Sequence, residues 1–362
     1  MNATPSFSRD HNNQISFNEL NDDILHEICT AIGDEPTPLA NQAPYPLKSL
    51  SMVNRRLRHL LAPKIFRRLS LDGNIANILR ALKVLQSCPE LLHHTRSFKF
   101  DLYRHNDSGI PTDDLPGRLV SVLSYMPKLQ HLAIILPEYH TAIFDSAFAT
   151  AGISFNLVKT LVAGAYCEFV VPYCPNVESI ASNQHYFLYS PRAKDEETAE
   201  ESVRRGHATA LVEAAGRAAK LTAFEMSQKW SAAQLCHVYE HMPLLRRLGM
   251  PGESYESEPE EYLLLISKFE QLQELALASA RELSMAFRSN WSNLNYAGPG
   301  GEEVRRQQEE LKRQVGENIA GVVFEVCKSL KKIWIGEYSF AAGGDGNPIA
   351  KEYLMKLRGE IL

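Results

Sequence analysis

The residues most suggestive of chemistry in this sequence are the two histidines and the glutamate of His237-Val238-Tyr239-Glu240-His241. This stretch matches the H-x-x-E-H pattern of a class of zinc proteases, and histidines four residues apart on a helix can share one metal ion. The nearby apolar residues occupy the opposite face of the same helix: Leu235, Val238, Tyr239 and Met242. A catalytic zinc ion needs a cleft in which other side chains orient its ligands, whereas this pattern leaves the three polar residues in solvent. We therefore predict a solvated helix face and no metal site, with a metal hydrolase as the alternative.

A glycine-rich stretch, Gly298-Pro299-Gly300-Gly301, precedes a charged helical pattern and invites comparison with phosphate-binding loops. No Lys-Ser or Lys-Thr pair follows it, and Glu302 and Glu303 fall in the first helical turn. Their charge would repel a phosphate group at the end of the helix that attracts anions. The sequence also lacks a G-x-S-x-G nucleophile turn, so it does not favour hydrolysis. We predict a protein that is not an enzyme and that uses no cofactor.

Basic residues concentrate between positions 48 and 68, where no acidic residue occurs. They are Lys48, Arg55, Arg56, Arg58, Lys64, Arg67 and Arg68. One interpretation of such a cluster is a nucleic-acid surface. The net charge of −5 on the whole chain favours the other interpretation, an arginine-rich polar helix face whose aliphatic stems cover apolar surface.

The composition is that of an ordinary globular protein, with 44% hydrophobic and 22% charged residues. At 362 residues the chain can hold one large or two ordinary domains. Its six cysteines are scattered without a C-x-x-C pair, which indicates a reducing compartment. Residues 1–16 are polar and predicted to be disordered, and the longest apolar runs fall far short of a membrane span. We expect a cytoplasmic or nuclear protein with neither a membrane nor a nucleic-acid partner.

Residues 17–64 contain two amphipathic helical runs. The apolar residues of the first run are Leu20, Ile24, Leu25, Ile28 and Ile32, and those of the second are Leu47, Leu50, Val53, Leu57 and Leu60. Asp22 or Asp23 is predicted to cap the first helix, and Pro63 to stop or turn the second. A segment this short buries too little apolar surface to be stable alone, so we expect a partner surface for it.

The centre of this segment reads Leu47-Lys48-Ser49-Leu50-Ser51-Met52-Val53-Asn54-Arg55-Arg56-Leu57-Arg58, and its end reads Pro63-Lys64-Ile65-Phe66-Arg67. Both stretches resemble an F-box. The start, Leu20-Asn21-Asp22-Asp23-Ile24-Leu25, has asparagine where the family usually has proline, and residues 33–46 lengthen the first loop. The resemblance implies docking on a Skp-type adaptor, and through it on a cullin. The adaptor-binding residues it implies are Leu20, Ile24, Leu25, Ile28, Leu47, Leu50, Val53 and Leu57.

After residue 65 an apolar-x-x-apolar-x-apolar element recurs, with first positions 66, 95, 129, 158, 177, 221, 245, 272 and 330. The copy at 95 is poor, and Ser182 breaks the copy at 177. Helical patterns precede four of the copies: Ile75–Leu85, Leu115–Tyr125, Phe169–Tyr173 and Leu235–Met242. A helix followed by a short strand makes one αβ unit, and units in series bury their apolar triplets against one another.

We therefore predict an α/β fold in which a helical F-box precedes an irregular leucine-rich-repeat-like solenoid with a parallel sheet over residues 65–362. Insertions are expected near 184–206 and 280–316, the second ending in an exposed charged helix over Glu302–Val315, and a last helix is expected over Ile349–Leu357. The alternative is a generic α/β domain whose strands share the pattern by coincidence.

The expected function is that of a substrate receptor in a Skp–cullin–F-box ubiquitin ligase, with a free-standing repeat scaffold as the alternative. Strand side chains alternate faces, so the residues between the apolar positions point outward from the sheet. Repeat proteins commonly bind partners on that face. The predicted target-binding residues are His131, Glu225, Arg247, Glu274, Lys332 and Trp334. For Trp334 the alternative is packing beneath the C-terminal helix.

Overall fold

The computed structural model describes residues 20–33, 45–102, 114–164, 166–183, 208–227, 230–252, 259–278, 301–336 and 338–342. The chain divides into two compact units, Met1–Phe66 and Arg67–Leu362. Several predicted features lie outside the described residues: the segment 1–16, the insertion near 184–206, residues 280–300 of the second insertion, and the last helix.

The described residues of the first unit form three helices: α1 (Asp22–Gly33), α2 (Tyr45–Ser51) and α3 (Arg55–Ile65). Cys29, Leu47 and Leu61, one from each helix, form its buried cluster, and Leu50 and Ile65 pack against them. The second predicted helical run is divided into α2 and α3, because the chain turns between them. The apolar repeat of that run therefore serves two helices that pack on one another.

Pro63 lies inside α3, which continues to Ile65, so the helix does not stop at Pro63. Proline lacks a backbone N–H group and therefore removes one intrahelical hydrogen bond. In the last turn this loss is small, since the Phe66 N–H group still donates to the Ala62 carbonyl at 2.9 Å.

The second unit is built on one ten-stranded sheet in which the spatial order of the strands is their order in the chain. The strands are β1 (Arg68–Gly73), β2 (Ser97–Leu102), β3 (His131–Ile135), β4 (Thr160–Gly164), β5 (Ser179–Asn183), β6 (Ala223–Met226), β7 (Arg247–Met250), β8 (Glu274–Leu277), β9 (Lys332–Ile335) and β10 (Tyr338–Ala341). Strands β1 to β9 pair in parallel, and β10 is antiparallel to β9.

Helices connect most of the described parallel strands. They are α4 (Ile75–Gln86), α5 (Pro89–Leu92), α6 (Asp114–Ser124), α7 (Glu138–Ala151), α8 (208–216), α9 (Ala232–His241), α10 (Pro259–Ser267) and α11 (Gly301–Val326). A 3-10 helix over Glu168–Tyr173 takes the place of an α-helix between β4 and β5. Parallel strands need such crossover connections. The predicted α/β class with a parallel sheet is therefore confirmed.

The core is formed by the apolar positions of the recurring element, stacked in register from strand to strand. One row consists of Phe98, Leu132, Leu161, Ile180, Phe224, Leu248, Leu275 and Ile333, all buried. In the next row Ser182 interrupts the apolar series, and it is buried without a hydrogen-bond partner in the described part of the chain. Strand β5 nevertheless forms, because its backbone pairs with β4 and β6 and Ile180 fills the first row.

A repeated backbone hydrogen-bond pattern marks the start of each parallel strand from β2 to β9. The backbone carbonyl group of the residue before each strand accepts from two successive N–H groups at the start of the next strand. Lys159, for example, accepts from Glu178 at 2.8 Å and from Ser179 at 3.0 Å. The accepting residues are Arg67, Arg96, Gln130, Lys159, Glu178, Thr222, Arg246 and Gln273. At this edge of the sheet, two consecutive residues at the start of each strand are therefore bonded to the segment that precedes the neighbouring strand.

Helix α11 differs from the exposed charged arm that the sequence predicted. Its first half is exposed and contains ion pairs between successive turns, such as Arg313 with Glu310 at 2.7 Å. Its second half is part of the core, where Ile319 and Val323 are buried. Tyr338 ties the first half to β10 by donating to a Glu309 carboxylate oxygen at 2.6 Å. The predicted arm is thus the beginning of the 26-residue helix that leads into β9.

Candidate functional site

A recess lies at the amino-terminal edge of the sheet, where β4 to β8 begin. It has a volume of about 320 Å³. It is lined by five consecutive residue pairs, one from each strand start: Lys159 and Thr160, Glu178 and Ser179, Thr222 and Ala223, Arg246 and Arg247, Gln273 and Glu274. The second residue of each pair begins its strand, and the first supplies the doubly accepting carbonyl group. We call this recess the edge groove.

The edge groove is polar, and its two carboxylates are already paired. Arg247 Nε lies 2.7 Å from Glu274 Oε2, and the Lys159 ammonium group contacts the Glu178 carboxylate. Arg246 is exposed and forms no ion pair with any residue that the structure describes. Three cationic and two anionic side chains line the groove, so it carries one excess positive charge. It can therefore hydrogen-bond a polar segment and offer one guanidinium group to an acidic side chain.

Four of the predicted target-binding residues occupy one outward row of the sheet: His131, Arg247, Glu274 and Lys332. Arg247, Glu274 and Lys332 are in register on neighbouring strands, and all three are partly exposed. His131 stands four strands away from Arg247, a separation of about 19 Å at the usual strand spacing. The structure thus brings three of the predicted residues together, two of them in the edge groove, and leaves His131 apart.

Glu225 and Trp334, also predicted to contact a target, are each only 6% exposed. Glu225 lies against Gly249, where its Cγ would be 2.6 Å from a Cβ atom added at the glycine. Trp334 packs on Ala276, and the Lys332 ammonium group lies 4.5 Å from the centre of its ring. Both side chains lie on the outward face of the sheet, but neighbouring residues cover them, so neither is accessible to a partner. The helix proposed to cover Trp334 lies outside the described residues.

The residues implied as an adaptor-binding face divide by exposure in the first unit. Three are buried in the unit, namely Leu25, Leu47 and Leu57, and three are partly buried, namely Leu20, Ile28 and Leu50. Ile24 and Val53 are 47% and 66% exposed, and neighbouring Met52, which sequence reasoning did not single out, is 77% exposed. We call Ile24, Met52 and Val53 the apolar patch. The period of the apolar residues shows which of them share a helix face. It does not show which of them are buried within their own unit.

Polar side chains join α3 to α1 and cap α3 in the first unit. Arg56 Nη2 lies 2.6 Å from Asp22 Oδ1 and also donates to the Leu20 carbonyl at 2.7 Å, which joins the start of α3 to the start of α1. Asn54 caps α3 by accepting from the Leu57 N–H group at 2.8 Å. Ile24 follows Asp22 on α1, and Val53 precedes Asn54, the cap of α3.

Asn21, which replaces the usual proline of the motif, caps α1 by accepting from the Ile24 N–H group at 2.8 Å. The prediction that Asp22 or Asp23 supplies this cap is therefore wrong. Asparagine at this position satisfies a backbone donor that would otherwise lack a partner in the first turn. Asn21 thus has a structural role of its own.

The side chains best suited to metal binding or to nucleophilic chemistry are spread over the second unit. Donor atoms of His237, Glu240 and His241, on α9, all lie within 4.8 Å of one another. Burial raises the pKa of the Cys167 and Cys174 thiols to about 12, so both stay protonated and unreactive near neutral pH. Of these residues, the cluster of His237, Glu240 and His241 is therefore the one that could hold a metal ion.

Comparison of the chain with models of known protein families and with curated proteins finds no match. In the part of the chain that the structure describes, no helix combines the length and apolarity needed to cross a bilayer. Function has to be argued from the apolar patch, the edge groove and the sheet that carries the groove.

Proposed function

We propose that this chain is the substrate-recognition subunit of a Skp–cullin–F-box ubiquitin ligase. The observation that carries the proposal is the apolar patch on a compact unit of its own, with three described helices, whose sequence resembles an F-box. Met52 and Val53, adjacent in the chain, and Ile24 are large apolar side chains left exposed, and such exposure favours a protein partner over water. In this role the unit docks the Skp-type adaptor, which in turn binds the cullin.

The motif residues support this assignment because each has a distinct task in the unit. Asn54 caps α3, Arg56 joins α3 to α1, and Leu57 fills the interior. The large apolar residues of the described part of this unit that remain exposed are those of the patch. This division of labour revises the implied adaptor-binding set: Leu25, Leu47 and Leu57 support the surface, and Ile24, Met52 and Val53 form it.

The second unit supports the other half of the role, which is to hold a target. Strands in chain order, helical crossovers and the repeated carbonyl pattern favour the irregular leucine-rich-repeat-like solenoid predicted from the sequence. The edge groove is our candidate for the target contact, with Arg246 and Arg247 as its principal cations. The subunit itself is non-catalytic, needs no cofactor, and acts in the cytoplasm or nucleus, where the ligase operates.

The experiment is capture of purified cullin and Skp-type adaptor by the immobilised full chain. The proposal expects the chain to retain the adaptor, and to retain the cullin only when the adaptor is present. Failure to retain the adaptor would refute it. Retention of cullin without adaptor would also contradict it, since the patch would then bind something else.

One observation favours the alternative of a free-standing repeat scaffold. Leu25, Leu47 and Leu57, which an extended docking face would expose, are buried in the first unit. A chain that captures no adaptor while remaining folded would support the scaffold. The edge groove would then still be the candidate binding surface.

A further inference from the structure

One turn of α9 gathers three potential metal ligands that play no part in the proposed ligase role. The ring centres of His237 and His241 lie 4.3 Å apart, and Glu240 lies between them in sequence. The sequence predicted that all three face solvent. In the structure Glu240 is exposed, but both histidines are partly buried. The cluster is therefore held against the protein instead of projecting freely from it.

The hydrogen bond of His241 sets the proton on its ring. His241 Nδ1 lies 3.1 Å from the His237 carbonyl oxygen. A carbonyl oxygen only accepts, so Nδ1 carries the proton and donates it, which leaves the Nε2 lone pair available. Histidines that bind metals characteristically donate their other ring N–H group to a carbonyl or carboxylate in this way. His241 is thus held in the tautomer that a metal ion requires.

His237 supplies a second, independent indication. Its Nε2 atom is buried and has no hydrogen-bond partner among the described residues. The other ring nitrogen, Nδ1, lies 3.8 Å from a Glu240 carboxylate oxygen, whose negative charge would also attract a cation. A buried ring nitrogen without a partner is unfavourable, and a bound cation would satisfy it.

The backbone around the cluster is fixed by packing. Leu235 and Val238 are fully buried and anchor α9, and Ser231 with Gln234 forms a capping box at its start. At the other end His241 presses on Gly216 of α8, where an added Cβ atom would lie 2.9 Å from the Cβ of His241. A ligand set on a fixed helix needs little reorganisation on binding.

We propose that His237, Glu240 and His241 form a Zn²⁺-binding site on α9. Two imidazoles and one carboxylate suit a borderline cation such as Zn²⁺ better than Mg²⁺ or Ca²⁺, which prefer oxygen ligands. Three ligands from the protein leave one tetrahedral position for water or a further donor. Cys236, one residue before His237, has its Sγ 3.7 Å from a Glu240 carboxylate oxygen.

The test is calorimetric titration of the metal-stripped full chain with Zn²⁺. The site predicts one equivalent bound, with affinity reduced at least tenfold in His237→Ala and in His241→Ala and less in Glu240→Gln. His93→Ala is the matched control. His93 Nδ1 makes the same contact with a carbonyl four residues earlier, to Pro89 at 3.0 Å, but no histidine lies one turn away. This variant should bind Zn²⁺ as the unmodified chain does.

A second readout separates loss of ligands from loss of folding. Zn²⁺ should raise the melting temperature of the unmodified chain and of His93→Ala, because a ligand that binds only the folded state stabilises it. The same addition should leave His237→Ala and His241→Ala unchanged, with circular dichroism confirming that both are folded. The proposal would be overturned if the unmodified chain bound no stoichiometric Zn²⁺. It would also be overturned if the two folded histidine variants bound Zn²⁺ as well as the unmodified chain does.

Discussion

The close approach of Gly249 to Glu225 leads to a quantitative prediction about the outward face of the sheet. Gly249 and Glu225 are in register on β7 and β6. A Cβ atom at position 249 would lie 2.6 Å from Cγ, 2.9 Å from Cβ and 3.0 Å from Oε2 of Glu225. Because Glu225 is buried, its side chain has little room to move away. Gly249→Ala should therefore lower the free energy of unfolding by about 1–3 kcal/mol, the usual penalty for overpacking.

Thermal unfolding of the full chain, followed by circular dichroism, measures this effect. A loss of 1 kcal/mol lowers the melting temperature by about 2–4 °C in a large domain, so Gly249→Ala should lower it by about 2–12 °C. Gly321→Ala is the matched control, because no atom lies within 4 Å of a Cβ added there. Gly321 lies inside α11, where alanine is favoured over glycine by about 1 kcal/mol, so the control should be neutral or stabilising.

A double-mutant cycle identifies the clash as the cause. In a Glu225→Ala background the contacts with Cγ and Oε2 are gone and the contact with Cβ remains, so Gly249→Ala should cost less than it does alone. The reasoning would be refuted if Gly249→Ala matched Gly321→Ala. It would also fail if the penalty at position 249 were unchanged in the Glu225→Ala background.

Two further predictions concern pH and helix capping. Burial lowers the pKa of His140, so the unfolded chain binds a proton below about pH 6.5 that the folded chain resists. Stability should fall as pH falls below that value, by up to about 1.4 kcal/mol per pH unit, and a shallower decline in His140→Gln, measured by denaturant unfolding, would bear this out. An identical decline would contradict it. Asn54→Ala removes the cap of α3 and should destabilise that helix by about 1 kcal/mol, seen as faster amide exchange over residues 55–61, whereas unchanged exchange would argue against the cap.

The parallel strands could be predicted because one local pattern, a spaced triplet of apolar residues, marks nearly every one. Helices α4, α6 and α9 followed from their own apolar periods. Helix α7 was missed because its buried stripe is narrow and includes His140, which a search for apolar residues does not count. Strand β10 was missed because four residues pairing antiparallel with β9 leave no repeating signal.

The candidate site could be predicted only as far as strand alternation reaches. Alternation placed Arg247, Glu274 and Lys332 on the outward row, and the structure has them there. The burial of Trp334 depends in part on Ala276 of the neighbouring strand β8, and no local pattern expresses a contact between strands. The edge groove was missed for a related reason, since the doubly accepting carbonyl groups that pair its residues are visible only once the strands are adjacent.

The adaptor interaction itself can be measured by titrating the full chain with a purified Skp-type adaptor. The account predicts saturable one-to-one binding that Val53→Asp weakens at least a hundredfold, because an unpaired charge would be buried in the interface. Val84→Asp is the matched control: Val84 is 60% exposed on α4 of the second unit, and its variant should bind normally. Absence of binding by the unmodified chain, or equal affinities for Val53→Asp and Val84→Asp, would contradict the proposed function.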